Sequence, residues 1–395
     1  VELVLNGEYQ GIYILMEKIK RGGGRLDIAK LQPDEITGDD VTGGYILSVD
    51  RNVGAANGFV SDFEPAESGD GQEIYLEHRY PKPDDIVAEQ RSYIEDYVRD
   101  FETALASPSF ADPLTGYRAY IDVPSFVDFF LLNELSRNVD GYRLSSFLYK
   151  DKDSNGGLLH AGPVWDFDIA WGNADYCNGS DIDGWAYLFG DVCGGDGNQI
   201  PFWWARLLQD PYYRDALRCR WNELRNTVLS PLSVASYCDS VALVLQAAQE
   251  RNFTVWPILG QYVWPNPSPI PTTYAGEVEE LKDWMADRWT WMDQHLPGSA
   301  AACSPTAVPS LSDAVIEAPF PNPFTDHMMV RTTTGARVQL QLADALGRIV
   351  YEVGTVTGDG ALHHITLPTA LAPGGYVLLA RSTERGTTTA YRVQH

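Results

Sequence analysis

The sequence has no Cys-x-x-Cys spacing, no run of eighteen apolar residues, no Walker-type phosphate loop and no internal repeat. A structural zinc site is therefore not expected, nor a membrane-spanning helix, nor a P-loop nucleotide site. Positive charge is scarce as well: 29 Lys and Arg stand against 54 Asp and Glu, a net charge of −25. Nucleic acid as a partner calls for a basic patch, so that class is set aside. The acidity is uneven. Residues 319–395 carry six Arg and five Asp or Glu, which leaves −26 on residues 1–318. An acidic main domain suits solubility, a basic substrate or bound cations.

What is present is ordinary for a folded chain. The 395 residues are 44% hydrophobic and 21% charged, enough for two or three domains with a sizeable core. The opening VELVL, from Val1, reads as a strand already under way. The expectation is a fragment or processed chain in which an N-terminal part of the fold is missing. Of five cysteines, Cys177 and Cys193 flank a loop rich in Gly, Asp and Asn, and Cys219 and Cys238 flank a predicted helical turn. Two disulfides and one leftover thiol fit an oxidising compartment; scattered buried thiols fit the same count.

Periodicity predicts a hairpin over residues 3–19 around Asn6-Gly7, a short extended piece GRLDIAKL, and a strand in GGYILSVDR (43–51). Helical spacing runs from Asp84 to Ala106. Asp122 is a good N-cap with Pro124 in the first turn, and the buried helix that follows should stop near Asp140-Gly141. LSSFLYKD and LLHAGPVWDFD read as two strands joined by SNGG. Residues 200–298 read as helical and aromatic. The Trp-rich stretch 202–221 is taken as core rather than a sugar platform because its aromatics recur at helical spacing. Residues 299–318 are small, Pro- and Ser-containing and without period, a linker. After it come short strands, the signature of a small all-β sandwich over 319–395.

GPVWDFDIAWGN (162–173) sets Asp166 and Asp168 between Trp165, Phe167 and Trp171. Carboxylates are kept from such company unless something pairs with them. In the predicted 143–166 hairpin Asp140 precedes the first strand and Asp166 ends the second. Antiparallel strands about 4.8 Å apart return the second to the mouth of the first, where Asp168 also reaches. Carboxylates so gathered repel unless a cation lies between them. Mg²⁺ suits such a site, since it takes one or two carboxylates plus substrate phosphates. The order of base Asp, short hairpin and metal Asp followed by Phe is that of the catalytic and Asp-Phe-Gly loops of protein kinases, with Asp168 in place of Gly. Such a site also wants a strand Lys for phosphates. Lys18, with Glu17 beside it, is the candidate nucleotide-binding pair, although a regular strand turns the two to opposite sides. The acidic loop CNGSDIDGWAYLFGDVCGGDGN lacks EF-hand spacing and is read as solvated.

NGEYQGIYILMEKI, TGGYILSVDR, FLLNELSRNVDGYRLSSFLYKD and GPVWDFDIAWGN together resemble the CotH kinase family, named for a bacterial spore-coat protein. The likeness covers residues 1–298. It implies an α+β, protein-kinase-like domain with a helical C-lobe, and an atypical, secreted-type kinase that uses ATP and Mg²⁺ or Mn²⁺. Carried over by motif, Asp140 in NVDGY is the catalytic aspartate, Asp166 in VWDFD the metal aspartate and Lys18 in MEKI the nucleotide-contacting lysine. Spore-coat members carry an Asn-containing run after the catalytic aspartate. This chain has RLSSFLYKD there, so Ser145 and Ser146 stand where a second metal ligand is expected.

PFPNPF (319–324), LADALGRIVYE, LAPGGYVLLA and the closing YRVQH resemble the C-terminal sorting domain of type IX secretion. That likeness implies export through the outer membrane by the type IX machinery and a place at the cell surface. Export in turn favours disulfides, Cys177–Cys193 first. Two functions follow: a kinase acting on Ser or Thr of a protein substrate, or a non-catalytic adhesin or glycan- or protein-binding module that keeps the fold where ATP is scarce.

Overall fold

A computed structural model describes residues 1–54, 56–65 and 72–303. Beyond them it describes 316, 319, 324, 326–332, 337–343, 349–357, 361–368, 371, 375–382 and 388–395. The chain divides into two compact units, Val1–Cys303 and Ser304–His395.

In the first unit, β1 (Glu2–Leu5) and β2 (Glu8–Ile12) form a two-stranded hairpin. Asn6 and Gly7 turn it, with φ of 52° and 86°, the pairing that two-residue hairpin turns demand. The predicted continuation to residue 19 is not a strand: beyond Ile12 only Tyr13 still bonds across, to Val1 at 2.8 Å in both directions, and Ile14 and Leu15 are 85% and 83% exposed. Alternating apolar residues make a strand only where another strand meets them. GRLDIAKL is likewise irregular, tied by one bridge between Arg21 and Leu26.

The main sheet is built from β3 (Tyr45–Val49), β4 (Gly58–Val60), β5 (Tyr75–Tyr80), β6 (Ser146–Lys150) and β7 (Leu159–Ala161), in the order β4-β5-β3-β6-β7 with every pair antiparallel. The central β3 is buried throughout. Its Tyr45, Leu47 and Val49 share one core with α1 (Ala88–Ala106) and α2 (Val123–Ser136). Ile46 and Phe147 join Ile28 in a smaller cluster capped by Ile19, Leu26 and Trp165. The α2 helix starts as its sequence predicts: the Asp122 carboxylate accepts the Ser125 N–H and Pro124 fills the first turn. It ends earlier than expected, at Ser136, because Arg137 turns left-handed with φ 47°. The β7 strand also stops short of its predicted end. Pro163 has no N–H to give a ladder, so the chain leaves the sheet after Ala161 and Asp166 lies in a loop.

Then come α3 (Phe189–Cys193), α4 (Trp203–Leu207), α5 (Pro211–Arg225), α6 (Pro231–Val255) and α7 (Tyr274–His295). Trp203, Trp204 and Trp221 are buried, so the Trp-rich stretch is core. The α2 helix packs against α5 and α7. A fully buried ion pair joins it to α7: Arg288 lies 3.6 Å from Glu134 and donates to the backbone oxygens of Glu134, Ile182 and Gly184. The β1–β2 hairpin packs on α6, not on the main sheet. The Ile12 N–H reaches Asn252 Oδ1 at 2.9 Å, and Trp256 Nε1 reaches the Gln10 oxygen at 2.8 Å. Gly11 lies between those contacts. A Cβ there would stand 2.8 Å from both side chains, and its φ is +114°.

Disulfides join Cys177 to Cys193 and Cys219 to Cys303, leaving Cys238 as the free thiol. The second bond draws residues 300–303, expected to be linker, into the first unit as a short helical turn on α5. Of the rest of the expected linker, 304–315 and 317–318 lie outside the described residues, and Ile316 is buried in the core of the second unit, bridged to Thr332.

Among the described residues the second unit has six strands: β8 (His327–Arg331), β9 (Val338–Ala343), β10 (Ile349–Val356), β11 (Leu362–Thr366), β12 (Gly375–Ser382) and β13 (Thr388–Gln394). They form a four-stranded sheet, β10-β9-β12-β13, and a pair, β11-β8. Met328, Val330, Leu340, Leu342, Ile365 and Leu378 share its core. Of the motifs quoted for the tail, residues 320–323, 344–348 and 372–374 lie outside the described residues.

Candidate functional site

Between α2 and β6 the chain makes a tight turn in which Arg137, Tyr142 and Ser145 all have positive φ. Residues other than Gly hold such angles only where packing over-determines them. Tyr142 is pinned from below, its hydroxyl 2.9 Å from Glu134. Asp140 sits on this turn. Its Oδ1 accepts from Arg143 Nη2 at 2.6 Å. Arg143 is itself 3% exposed and is held by the Val139 oxygen at 2.9 Å, by Asp196 at 3.2 Å and over the Phe189 ring at 4.0 Å. Burial pushes the Asp140 carboxyl above its ordinary range, and Arg143 pulls it back.

Asp166 has φ 65°, a left-handed angle that Asp tolerates better than most residues. Ser145 Oγ donates to its Oδ2 at 3.4 Å, a long contact. The Asp166 carboxyl is pushed up by burial first and then by the charge of Asp168, close enough to share a hydrogen bond with it; Asp50 adds to the same effect. The charge of Asp166 also reaches Asp140. The three aspartates thus face one region, but they do not converge on a point. Among the described residues, no group of three or more His, Cys, Asp or Glu is gathered to hold a metal ion. The expectation that Asp140 closes a common carboxylate cluster is corrected accordingly: the β7 strand ends too early, and Arg143 neutralises Asp140 locally.

Lys18 and Ser145 line the same cavity, of about 340 Å³, with Asp50, Arg79, Lys82 and Trp165. Glu17 does not face it. That carboxylate pairs with Arg25 at 2.7 Å on the surface. Arg79 spans Asp50 and Glu77 at 2.9 Å each and donates to Ser48 Oγ at 2.8 Å. Asp50, Arg79 and Lys82 were not singled out in the sequence. The available signal was the alternation in β5, which puts Glu77 and Arg79 on one face, and the polar Asp50-Arg51 closing a buried strand.

A family model described as CotH kinase protein matches residues 1–292. The chain belongs to the CotH kinase family. No curated protein matches it. A CotH chain is kinase-like, which implies a nucleotide and a divalent cation as the groups to test against these residues. The donor set fits in a restricted way. Asp166 and Asp168 are two carboxylates whose charges oppose each other, and a divalent ion completed by phosphate oxygens and waters asks for no more than that. Lys18 and Lys82, exposed at the cavity mouth, have no ion-pair partner among the described residues and fit phosphate charge. Asp140, Asp166, Asp168, Ser145 and Lys18 lie in one region of the first unit; Glu17 stands apart.

Proposed function

We propose that this CotH-family chain is a phosphotransferase that moves the terminal phosphoryl group of ATP to a Ser or Thr hydroxyl of a protein acceptor, with Mg²⁺ or Mn²⁺. We propose also that its tail is a type IX sorting module that sends it to the cell surface. The two disulfides and the family membership agree with an exported kinase-like protein. Among the described residues no helix is long and apolar enough to cross a membrane.

The observation that carries the catalytic reading is the cavity shared by Lys18 and Ser145, with Ser145 touching Asp166. Asp166 and Asp168 would hold the divalent ion, which when bound supplies neutralisation of charge on the phosphoryl oxygens. Lys18 and Lys82 would draw the phosphates to the cavity mouth. Asp140 has Oδ2 outside the Arg143 contact, and that oxygen would orient the acceptor hydroxyl and accept its proton as the new O–P bond forms and the bond to ADP breaks. Burial raises this carboxyl, which makes it a better proton acceptor.

The experiment is incubation of the full chain with γ-labelled ATP, Mg²⁺ and a mixture of protein acceptors, beside Asp166→Asn. Transfer by the wild type and its loss in the variant are expected. A nucleotide at 100 times its Kd should also stabilise the fold by about 2.7 kcal/mol in a melting curve. Transfer that survives the substitution refutes the metal assignment. The second reading, a surface-binding module, is favoured by one observation: Asp140 is held by a buried arginine at 2.6 Å. It predicts neither transfer nor a nucleotide-dependent melting shift.

A further inference from the structure

A second, acidic recess adjoins the loop that carries Asp168, whose backbone oxygen accepts from Asn173 Nδ2 at 2.8 Å on the recess wall. A cavity of about 450 Å³ opens between the loop after Asp168, the proline-rich loop 264–271 and the first turns of α7. That volume suits a small ligand or one long side chain. Its walls are Trp171, Trp284 and Pro269, with Glu277 and Glu280 at one side.

Each wall is held in place. Trp171 keeps φ at 61°, and its N–H donates to the Ser136 oxygen at 2.7 Å. Trp284 Nε1 donates to the Ser180 oxygen at 2.7 Å. Gly172, at φ +82°, lets the backbone lie against the Trp284 ring, where a Cβ would approach to 2.8 Å. The proline-rich loop is tied back by the Asp175 N–H to the Pro265 oxygen at 2.9 Å, and Tyr176 stacks on Trp264 at 5.8 Å. A recess so fixed needs little ordering when something enters it.

Its charge is unanswered. No Lys, Arg or His lines it. The nearby Lys282 is engaged elsewhere, at 2.7 Å from Glu279 and 2.8 Å from Asp239. The Glu277 and Glu280 carboxylates have no ion-pair or hydrogen-bond partner among the described residues. Burial, and then the charge of Glu280, push the Glu277 carboxyl up. A neutral ligand such as a sugar would leave both like charges uncompensated. A cation answers both and finds indole faces beside them.

We infer that this recess is a binding site for an organic cation, a primary ammonium or guanidinium group on a flexible chain. The source is either a Lys or Arg side chain of a polypeptide or a free polyamine; both present the same group to the two glutamates and the two tryptophans.

The test uses the full chain without nucleotide, so its outcome is independent of phosphoryl transfer. Spermidine, an uncharged-ended Gly-Lys-Gly peptide, its Arg counterpart and maltose are titrated by calorimetry and by tryptophan fluorescence, at low and high salt. Expected is cation binding that weakens with salt, with no response to maltose. Tighter binding of the peptides assigns the site to a polypeptide, and tighter binding of spermidine to a soluble amine. The Glu277→Gln/Glu280→Gln chain should bind about tenfold more weakly or worse, at an unchanged melting temperature. If the double variant does not fold, Glu280→Gln alone is compared, and a severalfold loss is expected. No binding of any cation at 10 mM, binding indifferent to the substitutions, or maltose binding as tightly as the cations would overturn the inference.

Discussion

Glu102 gives the sharpest test of how this core is assembled. It projects from α1 into the interior and is 2% exposed. Trp203 Nε1 and Ser61 Oγ donate to it at 2.8 Å each. Among the described residues it has no ion-pair partner; Arg99, whose charge reaches it, is engaged by Asp62 and Asp96 at 2.6 Å. Burial therefore dominates over the two hydrogen bonds and pushes the carboxyl from its ordinary 4.5 to about 7. The sign follows from proton counting. Between those values the folded chain holds a proton that the unfolded chain has released, so stability falls as pH rises. The contribution is whole below pH 4.5 and gone above about pH 7. At about 1.4 kcal/mol per pH unit the gap amounts to about 3 kcal/mol. The Glu102→Gln chain keeps the acceptor oxygen and cannot ionise. It should melt about 6 °C higher than the wild type at pH 8, taking about 2 °C per kcal/mol, and the difference should close by pH 4.5. Melting curves of the two chains from pH 4 to 8 decide it. A difference that does not change with pH, or a variant less stable at pH 8, would refute the account of Glu102 as a desolvated, cation-free carboxylate.

Three further expectations concern the scaffold. Arg288→Met leaves the buried Glu134 without its counter-charge and should destabilise the first unit by about 3–5 kcal/mol in urea unfolding; the double change Glu134→Leu/Arg288→Met should recover part of that loss. Gly11→Ala forces a Cβ against Asn252 and Trp256 at a left-handed angle, and should cost about 1–3 kcal/mol. Its readout is faster exchange of the Ile12 amide with solvent while α2 amides stay protected. Cys219→Ser opens a loop closed across 84 residues, for which chain entropy gives about 4.5 kcal/mol; a melting temperature that does not fall would show that the bond adds little in solution.

The elements that announced themselves were those whose stabilisation is local. The α2 start was legible because Asp122 and Pro124 carry the whole N-terminal signal within three positions. The Asn6-Gly7 turn was legible for the same reason. What the sequence hid was set by partners. Residues 13–19 are apolar enough for a strand, but after Tyr13, which bonds Val1, no strand pairs with them. β7 is cut short by one proline. Around the candidate site, hairpin geometry set Asp168 beside Asp166 and Asp140 near them, Ser145 came in only through the family resemblance, and the grip of Arg143 on Asp140 depended on a turn whose left-handed residues no periodicity reveals. Asp50, Arg79 and Lys82 reach their cavity through sheet register, which pairs Ser48 with Glu77 and is invisible to single-strand reasoning. Cys303 looked like part of a spacer because its bonding partner is far upstream.

That sulfur link has a mechanical meaning. Tension applied to the polypeptide beyond residue 303 enters at Cys303, and there it divides. One route runs back along residues 296–302 towards the end of α7. The other crosses directly to Cys219, in the middle of a helix braced against α2. With the bond intact the strain is shared with α5 and the α2 helix it packs against, and α7 is shielded from being peeled off. Reduce it, and the same tug would fall on the hydrogen bonds that tie this segment to α5, such as the Ser299 N–H to Asp215 Oδ1 at 2.8 Å, and after them on the last turn of α7.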